Sequence, residues 1–115
     1  MKFYKVDGQI LVDIFNHNND SNLKELVPNT HDGAFEKHVP VVKIDKNKVI
    51  VNVGEIDHPM IDVHYIVMIA IETTDGYHIK KLKPGDEPNA EFTLNVNESF
   101  IRAYEYCNIH SLWSN

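Results

Sequence analysis

The chain has one cysteine, no long apolar run and fewer bases than acids. A single cysteine excludes an intramolecular disulfide framework and fits a reducing compartment, so we expect a cytoplasmic protein. The longest apolar run covers residues 66–71, far short of the ~20 residues that a membrane-spanning helix needs. Seventeen acidic against eleven basic residues give a net charge of −6, which argues against a broad nucleic-acid-binding face.

Short segments rich in β-branched residues, separated by turn residues, make up most of the sequence after Lys48. No segment after Lys48 keeps the 3.6-residue apolar period of a helix. Gly76 lies in a predicted hairpin turn, where glycine tolerates a positive φ. A chain of 115 residues is long enough for one domain, and this spacing predicts an all-β, antiparallel β-sandwich. The predicted strands are 48–53, 63–73, 77–82, 90–96 and 100–106.

The first thirty residues differ from the rest. Residues 4–15 could form a small hairpin that turns at Asp7-Gly8, and a polar loop follows. The segment is too short to build its own core. We therefore expect residues 1–30 to be a short N-terminal appendage, packed on the sandwich or on a partner subunit.

Seven histidines stand out in a chain of this length. His17, His31 and His78 have polar neighbours and are predicted to lie at the surface. The other four adjoin a proline, an apolar strand or the lone cysteine, and they are His38, His58, His64 and His110.

Cys107 and His110 are three residues apart, so they reach one metal ion only if the chain turns between them. Asn108 is a good turn residue. A buried free cysteine with a histidine in the next loop explains the same pattern.

His58 and His64 lie six residues apart, which spans up to ~20 Å in an extended chain. Pro59 places His58 in a loop before the next strand, and a bend could then bring both rings together. A half-buried strand histidine is the alternative for His64. His38 follows Glu36 and Lys37 in a segment predicted to be extended and to end at Pro40, for which a solvated loop is the alternative.

Taken together, these residues offer four imidazoles and one thiolate. Tetrahedral structural zinc needs only four ligands, so a fifth donor indicates a different metal. Imidazole with one thiolate suits iron or copper as well as zinc.

Three motifs in this order resemble the superoxide reductases, the desulfoferrodoxin and neelaredoxin group of non-haem iron proteins. They are Glu36-Lys37-His38-Val39-Pro40, then His58-Pro59-Met60 with His64 six residues after His58, and Tyr106-Cys107-Asn108-Ile109-His110. The resemblance spans residues 36 to 113. It implies an immunoglobulin-like sandwich, in agreement with the strand pattern.

The resemblance also implies a site and a reaction. One non-haem iron per chain would have an axial thiolate from Cys107 and four equatorial imidazoles, from His38, His58, His64 and His110. The family reduces superoxide to hydrogen peroxide by one electron, without releasing dioxygen. Lys37 would attract the superoxide anion, and Glu36 would help the product to leave. A rubredoxin-like protein would donate electrons, and the assembly would be a homodimer or homotetramer.

The chain departs from desulfoferrodoxins at its N-terminus, where that group has four cysteines holding a second iron. Residues 1–30 therefore resemble a remnant of the desulforedoxin-like segment without a metal site, and residues 31–115 resemble the iron-binding domain. Two alternatives remain open at this point. A cupredoxin-like electron carrier would usually need a methionine after His110, and none follows; a non-catalytic metal-binding module would keep the fold without turnover.

Overall fold

A computed structural model describes residues 1–115 as ten strands and one helical turn. No helix is long and apolar enough for a membrane span. The elements are β1 (Lys2–Val6), β2 (Gln9–Asp13), β3 (Glu25–Leu26), α1 (Phe35–His38), β4 (Pro40–Asp45), β5 (Lys48–Val53), β6 (Ile66–Thr73), β7 (Tyr77–Lys81), β8 (Asn89–Thr93), β9 (Phe100–Cys107) and β10 (Ser111–Ser114).

Two antiparallel sheets pack face to face and enclose the main core. One has the strand order β10-β9-β6-β7, and the other has the order β4-β5-β8. The core consists of small and branched side chains from both sheets, with Val51, Ile69 and Ala103 fully buried between them. Burial of this apolar surface is the main stabilising contribution, and the predicted all-β sandwich is confirmed.

The N-terminal segment forms a third sheet in the order β2-β1-β3. Its hairpin turns at Asp7-Gly8 as predicted, with positive φ at both residues. The Phe3 ring packs 5.2 Å from the Tyr104 ring, between centroids, in a second apolar cluster on the outer face of β9. Both faces of β6 are consequently covered, as its apolar sequence indicates.

Several strand boundaries differ from the predictions. β6 begins at Ile66 rather than at residue 63, because His64 and Ile61 exchange backbone hydrogen bonds of 3.0 Å in a tight turn. β8 ends at Thr93 rather than at residue 96, which leaves Val96 90% exposed. β4 and β10 were not predicted as strands.

Residues 35–38 were predicted to be extended, and that prediction is wrong. They form one helical turn, α1, in which the Val39 N–H donates to the Phe35 carbonyl at 2.9 Å. Pro40 then begins β4 without needing a backbone donor there. The turn directs His38 inward, while Glu36 and Lys37 stay exposed.

Glu105 is a fully buried acid on β9, between Ala103 and Cys107 on the face that meets the core. Neither carboxylate oxygen has a hydrogen-bond partner. Burial raises the pKa of Glu105 well above its ordinary value. The fold therefore favours the protonated acid, because an unpaired buried charge is costly.

We expect Glu105→Gln to make the protein more resistant to alkaline pH. A raised folded-state pKa means that stability is present at low pH and is lost as pH rises through that pKa. The free energy of unfolding of the variant relative to wild type should grow by about 1–3 kcal/mol between about pH 5 and pH 9. Denaturant titrations at each pH measure this difference. Glu91→Gln, the same change at an exposed strand position, should show no trend, and a flat Glu105→Gln profile would contradict the expectation.

Candidate metal centre

Four separate segments bring five donor residues to one end of the sandwich. Their side-chain donor atoms all lie within 4.8 Å of one another. The residues are His38 from α1, His58 and His64 from the loop between β5 and β6, Cys107 from the end of β9 and His110 from the turn before β10. They are the five donors that the sequence predicts.

The Asn108 side chain hydrogen-bonds the turn after β9 to the segment before β6. Its side-chain Oδ1 accepts the Tyr65 N–H at 2.9 Å, and its Nδ2 donates to the Val63 carbonyl at 3.1 Å. This places the Cys107–His110 turn beside His64. The turn lets a cysteine and a histidine three residues apart face the same point, which a straight strand would prevent.

Gly54 allows the loop that carries His58 to pack against α1. With a φ of +88°, a Cβ at this position would lie 2.4 Å from the Ile56 carbonyl oxygen and 2.7 Å from the Glu36 carbonyl oxygen. Any side chain would therefore push the two segments apart. The Ile56 N–H donates to the Glu36 carbonyl at 3.1 Å, and the His58 N–H donates to the Val53 carbonyl at 3.2 Å.

Two of the imidazoles have their tautomers fixed by backbone carbonyls. Nδ1–H of His38 donates to the Ala34 carbonyl, and Nδ1–H of His58 donates to the Pro59 carbonyl, each at 2.7 Å. A carbonyl only accepts, so in the neutral rings both Nε2 atoms carry lone pairs. These atoms lie 3.2 Å apart. Two lone pairs cannot hydrogen-bond to each other, and a cation bound by both would resolve the conflict.

The other donors complete a set that fits a metal ion. Nε2 of His64 is buried without a hydrogen-bond partner. Nδ1 of His110 lies 3.0 Å from Nε2 of His38 and 3.8 Å from Sγ of Cys107. Carbonyl partners on the outer nitrogens and unpaired inner nitrogens are typical of metal-binding histidines. Four imidazoles and a thiolate suit iron.

Burial favours the neutral form of three imidazoles in the cluster, those of His38, His58 and His64. It is the largest cause of the lowered pKa values of His38 and His64, and it lowers the pKa of His58 to about 4. The other imidazoles act in the same direction, because each protonated ring would repel the next. Neutral imidazole is the form that binds a metal.

Burial shifts the pKa of the Cys107 thiol in the direction opposite to that of the imidazoles. Burial raises its pKa, and the backbone N–H groups of Ile109 and His110 counteract this by favouring the thiolate. The Asn108 N–H does not take part, because it donates to the Tyr65 carbonyl at 3.1 Å. A bound cation would stabilise the buried thiolate.

Trp113 and Gly33 support the centre from behind. The indole stacks on the His38 ring at 4.8 Å between centroids, and its Nε1–H donates to the His110 carbonyl at 2.9 Å. A Cβ on Gly33 would lie 3.3 Å from the indole and 3.4–3.5 Å from the His38 and His110 rings. In the sequence, the only indication of this close approach is that residue 33 is a glycine, which has no side chain.

Lys37 and Glu36 lie exposed beside the cluster, and neither contributes to it. The pKa of His64 is lowered chiefly by burial, and the charges of His110 and Lys37 act in the same direction. Among the remaining histidines, His17 and His31 are exposed as predicted, and the His31 ring lies 5.6 Å from the His110 ring between centroids. His78 is half-buried and pairs with Glu98 at 3.0 Å, so its predicted surface position is only partly right.

Comparison with known proteins gives a consistent result. The model of the family described as Desulfoferrodoxin matches residues 30–115. A desulfoferrodoxin homolog of Archaeoglobus fulgidus is 48% identical over 91 residues, covering 79% of this chain and 71% of that protein. A superoxide reductase of Thermococcus kodakarensis is 37% identical over 101 residues, covering 73% of this chain and 88% of that protein.

A solved structure resembles the whole chain, including its N-terminal sheet. The superoxide reductase from Treponema pallidum matches with a TM-score of 0.83 and 31% identity, over 100% of this chain and 99% of that one. The donor set, the sandwich that carries it and these similarities agree, and the chain belongs to the desulfoferrodoxin family.

Proposed function

We propose that this protein is a superoxide reductase, which converts superoxide to hydrogen peroxide without releasing dioxygen. The observation that carries the proposal is the convergence of four imidazoles and one thiolate within 4.8 Å, in a chain of this family. One iron per chain would be held by His38, His58, His64, Cys107 and His110. When bound, the iron would supply the electron and a Lewis acid for the developing peroxide.

The chain's own residues prepare this site before substrate arrives. The Ala34 and Pro59 carbonyls hold the Nδ1 protons of His38 and His58, so that both rings keep Nε2 free for the metal. The stacked Trp113 indole excludes water from one side of His38. A pre-ordered donor set reduces the reorganisation that the reaction would otherwise need.

Lys37 and Glu36 supply opposite charges at the mouth of the site. Superoxide is an anion approaching a protein of net charge −6, so a local cation is needed to attract it, and Lys37 provides one. Glu36, next to it on α1, would help peroxide to leave by competing for its place. Both roles follow the family resemblance.

A cupredoxin-like carrier fits this site less well. Such a carrier uses a cysteine, two histidines and a weak axial ligand. It would leave two of the four clustered imidazoles without a role, and Lys37 as well.

We propose a rubredoxin-like protein as electron donor, a homodimer or homotetramer as the assembly and the cytoplasm as the location. The single cysteine fits a reducing compartment.

Residues 1–30 act as a packing element, a remnant of the desulforedoxin-like segment without a metal site. In support, Asn29 exchanges hydrogen bonds of 3.0 and 2.9 Å with the backbone of Ser114, and Phe3 packs on Tyr104. Residues 31–115 form the iron-binding domain.

The test of the function is the visible spectrum of iron-reconstituted protein, followed while superoxide is added to the reduced form. A thiolate-to-ferric band that appears as superoxide is consumed, with stoichiometric hydrogen peroxide, is expected. An iron-loaded protein that stays colourless or leaves superoxide unreacted would contradict the proposal.

Lys37→Ala should slow the capture of superoxide by roughly tenfold at low ionic strength, because it removes the attracting charge. The dependence of the rate on salt should also weaken. Pulse radiolysis of the reduced protein at several salt concentrations measures both. Lys43→Ala, which removes an exposed charge on β4, is the control and should change the rate less than twofold. Equal effects of the two substitutions would show that the capture rate depends only on the net charge of the protein.

A further inference from the structure

The donor cluster is closed on most of its sides, which limits how a metal ion reaches it. His38 and His58 are each 2% exposed, and Cys107 is fully buried. Among the five donors, only His64 and His110 are partly exposed. A metal site that is ordered before its ion arrives needs an entry path, and here that path has to pass one of these two rings.

His31 lies beside His110, on the partly exposed side of the cluster. The two rings are 5.6 Å apart between centroids, with an angle of 65° between their planes. Ring pairs within the donor cluster are separated by 4.5 to 6.3 Å between centroids. The separation of His31 and His110 falls inside that range, so these two rings are close enough to bind one ion together.

The loop that carries His31 is held against β10 on both sides of this residue. Before it, the Asn29 N–H donates to the Leu112 carbonyl at 3.0 Å, and the Asn29 side chain makes two more hydrogen bonds to the backbone of β10. After it, a Cβ on Gly33 would lie 3.3 Å from the Trp113 indole. His31 is exposed, but its backbone is fixed beside the centre.

Each of the two rings has a nitrogen that can bind a cation in the metal-free protein. Nδ1–H of His31 donates to the Asp32 carbonyl at 2.9 Å, so the lone pair of the neutral ring is on Nε2. Nε2 of His38 has a lone pair, so Nδ1–H of His110 is the donor in the 3.0 Å contact between these two atoms. In the neutral His110 ring the lone pair is then also on Nε2.

Nε2 of His110 lies on the side of the ring that faces the loop of His31. The contacts of this ring with His38 and Cys107 both involve Nδ1, on the side that faces the cluster. Cδ2, the ring atom next to Nε2, would lie 3.5 Å from a Cβ on Gly33, two residues after His31. A ligand nitrogen of the centre is therefore continued outward by a second one, next to an exposed imidazole.

We propose that His31 and Nε2 of His110 form an outer capture site for a divalent transition-metal ion on its way to the five-donor centre. The inference rests on the iron centre of the proposed function, and imidazole is a suitable ligand for such ions. The exposed carboxylate of Asp32 adds a negative charge that attracts a cation. In the transfer, His110 exchanges Nε2 for Nδ1 as the ligand atom. Nδ1 gives up its proton and Nε2 takes one up, so the proton count of the ring does not change.

The test follows the uptake of Co²⁺ by the metal-free protein in a stopped-flow experiment. Binding of Co²⁺ to a thiolate gives a visible absorption band, which reports the arrival of the ion at Cys107. His31→Gln should slow this arrival roughly tenfold at micromolar Co²⁺, because an ion captured beside the centre has a local concentration of about 1 mM. The wild-type rate should also saturate as the Co²⁺ concentration rises, whereas the rate of the variant should rise linearly.

Two further variants distinguish the His31 nitrogen from other causes. His31→Phe keeps an aromatic ring beside His110 but has no ligand atom, so its uptake should be as slow as that of His31→Gln. His17→Gln removes an exposed histidine from a different loop and should take up Co²⁺ at the wild-type rate. Equilibrium dialysis should give one Co²⁺ per chain and the wild-type Kd in all three variants, because a capture site changes the rate of loading and not its end point.

Four outcomes would overturn the capture site. They are wild-type uptake in His31→Gln, fast uptake in His31→Phe with slow uptake in His31→Gln, equally slow uptake in His17→Gln, and a weaker final Kd in the His31 variants. The second would assign the effect to ring packing, and the last would make His31 part of the centre itself. Superoxide consumption by the iron-loaded wild-type protein is measured separately. Its absence would contradict the proposed function and leave the result on metal uptake standing.

Discussion

The Cys107→Ser variant is expected to lose the visible absorption of the iron protein and its reaction with superoxide, while the sandwich stays folded. Serine has nearly the shape of cysteine, but its hydroxyl does not ionise near neutral pH and cannot supply a thiolate. The loss of activity should exceed the roughly 10–100-fold that removal of a metal ligand's hydrogen-bond partner causes. Iron content, visible spectra and stopped-flow superoxide consumption measure the effect.

The control for this substitution distinguishes the loss of a metal ligand from the burial of a hydroxyl group in the core. Cys107 is fully buried, so a serine there also buries a hydroxyl group, which costs about 1–3 kcal/mol. Ala103→Ser places the same group at another fully buried position of the same strand. It should cost similar stability but keep the absorption band and the turnover. Unchanged turnover in Cys107→Ser would show that the thiolate is not part of the site.

Much of the fold could be predicted from local pattern. β5 alternates buried and half-buried positions from Val49 to Val53 as its β-branched residues indicate, and the first hairpin turns at Asp7-Gly8. Boundaries set by tertiary contacts could not be predicted. β6 begins late because Ile61 and His64 form a tight turn before it, and Asn108, distant in sequence, hydrogen-bonds to the backbone of Val63 and Tyr65 beside that turn.

The candidate site was predictable in its donors but not in its support. Imidazole and thiolate carry distinctive chemistry, so five such residues in three motifs can be recognised in the sequence. The Ala34 and Pro59 carbonyls that orient His38 and His58 are backbone groups. Every residue has a backbone carbonyl, so the amino-acid sequence does not indicate which carbonyls orient the two histidines. The helical turn at 35–38 was missed for a related reason, since four residues are too few to show a helical period.

The metal-free protein is expected to lose stability as the pH falls from about 7 to about 4. Burial lowers the pKa of His58 from its ordinary value of 6.5 to about 4. In this window the unfolded chain takes up a proton that the folded chain refuses, so acid favours unfolding. His58 alone should account for roughly 3 kcal/mol, and His38 and His64 shift in the same direction. Urea titrations across this pH range measure the loss.

The same nitrogens link this acid sensitivity to the metal. A proton and a metal ion compete for Nε2 of His58, so added ferrous iron should stabilise the protein far more near pH 7 than near pH 5. His58→Gln should flatten the acid limb of the metal-free profile and reduce the stabilisation by iron together. His17→Gln, which changes an exposed loop histidine, should alter neither. A metal-free wild type that is equally stable across this pH range would show that His58 protonates freely in the fold, and the closed cluster of imidazoles could not then be the resting arrangement of the site.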